Sequence, residues 1–196
     1  ENTIVIFTSD NGPTDWPRYY KSGLEPPGSS GPFFGRKWSL YEGGIRMPFI
    51  IRWPGRVPAQ TTDNVSIVAA FDLQLSLLSL TGISPPVGKH YDGVDKSSVL
   101  QGIPELRDTP VFWEYGAYGS LAPGKAEHAS PQLAMRTGNW KFLVNLDGTD
   151  PQLYDLSTDI REQNKLTHSH PVLAGSLTER TLKWWSQMSA NYADDL

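Results

Sequence analysis

Apolar residues are distributed along this chain in two textures. The runs Thr3-Ile4-Val5-Ile6-Phe7 and Met47-Pro48-Phe49-Ile50-Ile51-Arg52-Trp53 are short, nearly continuous and bounded by turn residues. That pattern predicts strands buried on both faces, as in a parallel sheet covered by helices. Between them, residues 13–36 hold Pro13, Pro17, Pro26, Pro27, Gly28, Ser29, Ser30, Gly31 and Pro32. Such a stretch predicts a loop without helix or strand, and structureless segments this long tend to be functional. Asp72 is placed to cap a helix carrying Leu73, Leu77, Leu78 and Leu80, which Thr81-Gly82 stops.

Beyond residues 102–108 the texture changes to a meander. β-rich segments at 111–115, 132–137, 140–145 and 152–156 are punctuated by Gly138-Asn139 and Asp147-Gly148, dipeptides whose twist suits antiparallel hairpins. A helix is predicted over 171–188, with Pro171 in its first turn. Leu173, Leu177, Trp184 and Met188 share one face of it, and Trp184 is expected to pack on the strand at 140–145. The reading is an α/β chain: residues 1–106 belong to a larger sheet domain, and 107–196 form a small α+β unit of four antiparallel strands and one long helix.

Composition narrows the chemistry. The 196 residues contain no cysteine, which excludes a disulfide framework and thiolate metal sites. With 17 Lys and Arg against 21 Asp and Glu, the net charge of −4 offers no basic field for nucleic acid. No run approaches the roughly 18 apolar residues of a membrane span. The chain opens on a strand-like segment, so no signal peptide is expected within it.

Three places could carry chemistry. Asp10 and Asn11 follow the first strand and offer oxygen ligands to a hard cation such as Ca²⁺; Asp-Asn-Gly is equally a common turn. Lys37 lies in the segment Gly35 to Pro48, dense in Lys, Arg and Glu. It is either a donor for a tetrahedral oxyanion or part of a solvated loop whose ion pairs are worth under about 1 kcal/mol. Gly43-Gly44 would let the backbone pass close to a neighbour or adopt positive φ. His128, in a loop at 116–131, is a candidate substrate contact, whereas His168 and His170 precede an exposed helix start and read as surface residues.

The combination resembles the second half of a type I sulfatase, of the alkaline phosphatase superfamily. The residues that carry the resemblance are Ser9-Asp10-Asn11-Gly12, Gly35-x-Lys37 and Glu42-Gly43-Gly44-x-Arg46-x-Pro48. Further matches are Asp92-Gly93-Val94-Asp95, Arg136-x-Gly138-x-Trp140-Lys141 and Leu153-Tyr154-Asp155-Leu156 with Asp159 and Glu162. The resemblance implies an alkaline-phosphatase-like sheet domain whose last part is residues 1–106. It also implies hydrolysis of a sulfate monoester, with Asp10 and Asn11 as ligands of one Ca²⁺ and Lys37 on the sulfate oxygens.

The formylglycine nucleophile and the remaining metal ligands of such an enzyme have no counterpart motif in this chain, so the chain alone is expected to be inactive. The implied partners are a sulfated small molecule or carbohydrate and the N-terminal part of the same enzyme. The implied location is periplasmic, secreted or lysosomal. Substrate choice is expected from the loop at 116–131 and the loop before Lys37, and Trp113-Glu114-Tyr115 hints at a carbohydrate. A related phosphodiesterase or phosphonate monoester hydrolase and a non-catalytic carbohydrate-binding module are the alternatives.

Overall fold

Both dipeptide turns close hairpins. In a computed structural model that describes residues 2–116 and 121–193, the meander forms an antiparallel sheet in the order β3 (Val111–Glu114), β4 (Leu133–Thr137), β5 (Trp140–Val144) and β6 (Gln152–Asp155). Gly138, at φ 53°, makes the turn that sets Thr137 opposite Trp140 and fixes the register of β4 on β5. These strands belong to a unit formed by Ser9–Met47 and Pro110–Leu196; Glu1–Thr8 and Pro48–Thr109 form a second. The two packing units are therefore interleaved along the chain, whereas the sequence reading divides it consecutively at 106/107.

Side-chain alternation buries both faces of the four-stranded sheet. Leu133, Met135, Phe142, Val144 and Leu153 point to one side, where the long helix Pro171–Ala193 covers them with Ala174 and Leu177. Trp184 lies on this helix but stacks on Phe112 of β3, with ring centroids 4.9 Å apart and planes 8° from parallel. It is half-buried and packs as well against the cluster that contains Phe142 and Val144 of β5. The opposite side carries Ala134, Leu143 and Tyr154, covered by Leu40 and Tyr41. The segment before the meander thus supplies a third layer.

Residues 13–36 are not wholly irregular: α1 (Pro17–Lys21) forms there with Pro17 at its first position, where a missing N–H costs no hydrogen bond. A second short helix, α2 (Glu42–Ile45), holds the Glu-Gly-Gly motif.

In the other unit, β1 (Val5–Thr8) pairs antiparallel with β2 (Phe49–Arg52) as a two-stranded ribbon. The sequence predicts two strands covered on both faces within a larger sheet, whereas here the two pair with each other and keep exposed faces. Two strands alone cannot cover both of their faces, and Val5, Phe7 and Ile50 are 49%, 62% and 60% exposed. The helix α3 (Asp72–Thr81) ends where expected, at Gly82 with φ 71°. Asp72 does not cap it but is its first residue, fully buried, accepting from the Ala69 and Val94 amides and held bidentate by Arg107. A last turn, α4 (Ser97–Leu100), packs on α3. No helix among the described residues is long and apolar enough to cross a membrane.

Candidate active site

The loop that follows β1 and the loop that carries Lys37 cross at their backbones. The Gly12 amide donates to Gly44 O at 2.9 Å, Gly43 to Phe34 O at 2.6 Å, and Lys37 to Pro13 O at 3.0 Å. A Cβ on Gly12 would sit 2.0 Å from Gly43 O, and one on Gly43 would sit 2.2 Å from Gly35 O. Glycine is required by close approach here, not by positive φ. The crossing brings the segment of Asp10 and Asn11 and the segment of Lys37 into one rigid piece.

Asp10 is exposed, with Ser9 Oγ 3.4 Å from its Oδ1. The Asn11 amide nitrogen donates to Gly12 O at 3.0 Å, so its amide oxygen is the atom left for a cation. Two hard oxygen donors side by side fit Ca²⁺, which takes about 6–8 such ligands. Among the described residues no group of three or more His, Asp or Glu is placed to hold a metal. Lys37 is half-buried with Nζ 5.9 Å from the Trp38 ring centroid, and Trp38 itself is held at φ 70°.

Behind Lys37 the Glu-Gly-Gly motif is anchored by a buried charge network. Glu42 receives Lys141 Nζ at 2.9 Å, with Arg46 at 3.5 Å and Arg136 at 3.6 Å. Glu162 accepts the Glu42 backbone amide at 2.7 Å and lies 3.6 Å from Lys141 Nζ. Burial pushes the Glu42 carboxyl up, but Lys141 and Arg136 outweigh it and hold the group below the usual carboxylate range. For Glu162 burial dominates over the pull of Lys141, the Glu42 charge adds to it, and the carboxyl is pushed up to about 7. One lysine thus serves two carboxylates, and Glu42 takes most of its charge.

A second carboxylate, Asp15, is fully buried between the proline-rich loop and the loop of His128. Tyr20 Oη donates to it at 2.6 Å, the Gly124 amide at 3.0 Å, and His128 Nδ1 lies 3.0 Å away. Burial raises its pKa, but the hydrogen bonds from Tyr20 and His128 win and keep it below the usual value. An ionised Asp15 only accepts, so Nδ1 of His128 carries the proton, while Nε2 lies 3.9 Å from the exposed carboxylate of Glu127. Arg36, 3.8 Å from Asp15, ties the carbonyls of Thr14, Pro27 and Gly28 to the residue before Lys37.

Asp10, Asn11, Lys37 and His128 therefore all lie in one packing unit. Sequence reasoning missed Asp15, Tyr20 and the partnership of Glu42, Lys141 and Glu162. For the last two the motifs containing them were the available signal. Trp113 is turned inward, 5.7 Å from Lys141 Nζ, and Tyr115 donates to Leu121 O. Residues 117–120 of the 116–131 loop lie outside the described residues.

Residues 30–183 match the family described as N-sulphoglucosamine sulphohydrolase, C-terminal. An N-acetylgalactosamine-6-O-sulfatase of Bacteroides thetaiotaomicron is 31% identical over 183 residues, covering 91% of this chain and 35% of its own length. Arylsulfatase G of Canis lupus familiaris is 38% identical over 196 residues, covering 90% and 35%. Among solved structures, Ps i-CgsB in complex with k-i-k-neocarrahexaose superposes with a TM-score of 0.68 at 25% identity, over 93% of this chain and 36% of the other. The chain spans about a third of the length of the relatives it matches. It belongs to the sulfatases, in the family of their C-terminal region.

Proposed function

We propose that this chain is part of an enzyme that hydrolyses sulfate monoesters of a carbohydrate or aryl substrate. The observation that carries the reading is the backbone crossing of Gly12 with Gly43 and Gly44. It puts two oxygen ligands and a lysine, groups matched to a divalent cation and a tetrahedral oxyanion, on one scaffold. Asp10 and Asn11 would bind Ca²⁺ through their side-chain oxygens, and a bound cation would supply charge for the sulfate oxygens. Lys37 would hold those oxygens as negative charge shifts between them, a task suited to three freely rotating donors.

His128, fixed by Asp15, presents Nε2 for the substrate side of the loop. Glu42 touches no substrate in this reading; held by Lys141, it keeps Lys37's loop in place. The nucleophile and the remaining ligands come from the rest of the protein, so residues 1–196 alone are inactive. The relatives' own substrates favour a sulfated sugar, and such enzymes act in a periplasmic, secreted or lysosomal setting.

In the full-length protein, Lys37→Ala should fold and retain metal while kcat on an aryl sulfate falls by about 10²–10³. Turnover within a few-fold of the parent would remove Lys37 from the site. Efficient hydrolysis of phosphodiesters with no hydrolysis of sulfate esters would reassign the reaction.

A further inference from the structure

The proline-rich loop carries an outward-facing feature that the proposed chemistry does not use. Trp16 caps α1 and is 45% exposed. Tyr19 meets it edge-on, with ring centroids 6.4 Å apart, and the Arg18 guanidinium lies 5.9 Å from the indole centroid. With Ser22 and Leu24 these residues line an open cavity of about 380 Å³, within the roughly 300–1,000 Å³ usual for small-molecule sites.

The platform is stiff for so short a helix. Asp15, adjacent to Trp16, is fixed by Tyr20, His128 and Gly124, and the chain after α1 folds back so that the Leu24 amide donates to Tyr19 O at 3.0 Å. An exposed indole on an anchored loop, beside a second ring and a guanidinium, offers a ligand an aromatic face and a cation together.

Its chemistry is selective. Arg18 stands beside the Trp16 ring, Lys21 lies in the same short helix, and of the neighbouring acids Asp15 is fully buried and Glu25 is paired with Lys125 at 3.7 Å. This is a local cationic spot on a chain whose net charge is −4. An apolar ring face flanked by hydroxyls and a guanidinium complements a ligand with a hydrophobic C–H face, hydroxyls and an anionic group.

We propose that Trp16, Arg18 and Tyr19 form a subsite for one sugar ring of an anionic oligosaccharide, the indole taking the ring's C–H face and Arg18 a sulfate or carboxylate oxygen. The inference deepens the sulfatase reading and rests on it for the class of ligand. Arg36 and the Lys37–Pro13 hydrogen bond join this platform to the loop of Lys37, and in this proposal the sugar held here belongs to the same glycan as the sulfate being cleaved.

The test uses full-length protein carrying Lys37→Ala to suppress turnover, with size-defined chondroitin, heparin and carrageenan oligosaccharides as probes in calorimetry. At least one should bind, and adding Trp16→Ala should weaken it by about tenfold, with Trp16→Tyr recovering most of the loss. Arg18→Ala should weaken binding and flatten its salt dependence.

In the otherwise native enzyme, Trp16→Ala should leave kcat/KM for a small aryl sulfate within about twofold while raising KM for the oligosaccharide. No binding by any probe, or affinity unchanged by both substitutions, overturns the subsite. So does a drop in thermal midpoint with no change in affinity, which would make Trp16 a packing residue against the rest of the protein. If the parent hydrolyses no sulfate ester yet loses glycan affinity on Trp16→Ala, the sulfatase reading fails and the subsite stands.

Discussion

Asp15 and Glu42 are both buried carboxylates that tie residues before position 47 to residues after 120, but their partners differ in kind. Glu42 is surrounded by permanent cations, Lys141, Arg136 and Arg46, and shares the first with Glu162. Asp15 is met directly by neutral donors, a tyrosine hydroxyl and backbone amides, and by one imidazole, with a single permanent cation, Arg36, farther off at 3.8 Å. The first arrangement satisfies charge with charge and leaves nothing over for a ligand. The second uses its carboxylate to fix one ring nitrogen of His128 and leaves the other with only the exposed Glu127 carboxylate, 3.9 Å away. Burial alone does not distinguish a structural acid from a positioning one; the identity of its partners does.

Substitutions can break or sharpen this contrast. Lys141→Met should have the largest effect, because it strands two buried carboxylates; about 3–5 kcal/mol of stability should disappear in urea denaturation of the full-length protein. A shift no greater than that of a surface lysine would mean that the network is not closed to water. Asp15→Asn should cost less, about 1–3 kcal/mol, since the amide keeps one acceptor. It should also change the pH profile of turnover, which a purely structural acid would leave alone, and an unaltered profile would remove His128 from the substrate side.

Glu162 yields a pH effect whose sign is fixed. Its carboxyl is raised from 4.5 to about 7 in the folded protein, so the stability due to its neutral form is complete below about pH 4.5 and is lost as pH rises through 7. Glu162→Gln, permanently neutral, should flatten stability between about pH 4.5 and 7; an unchanged slope would show that another group titrates there. The smallest effect is expected for Tyr20→Phe, about 1 kcal/mol for one hydrogen bond, and a loss several times larger would mean that Asp15 has no second source of neutralisation.

Much of the sheet was legible because its signals are local. The Gly138-Asn139 turn, the alternation through Leu133 to Val144 and the helical spacing of Leu173, Leu177 and Trp184 each span a few residues. The ribbon misled for the same reason: Val5 to Phe7 has the local pattern of a covered strand, while its covering depends on partners that pattern does not contain. In the candidate site, Asp10, Asn11 and Lys37 were readable as motif residues.

Their supports were not readable, since Glu42 meets Lys141 and Glu162, and Asp15 meets His128, across about a hundred residues of chain. Once the network is seen, the Glu-Gly-Gly, Gly-x-Trp-Lys and Leu-Tyr-Asp-Leu-x-x-Asp-x-x-Glu segments, which supply Glu42, Lys141 and Glu162, cease to be separate signatures. They are parts of one ion-pair assembly.

The glycine crossing also makes the proline-rich loop a replaceable cassette. Its entry is clamped where Gly12 meets Gly44 and its exit where Lys37 meets Pro13, so the stretch between those clamps can change length or sequence wherever it leaves Asp15, Tyr20 and Arg36 in place. Exchanging that insert between relatives would transplant the outer sugar contacts and leave the reacting groups in register, a modular route to new glycan preferences on an unchanged chemical frame.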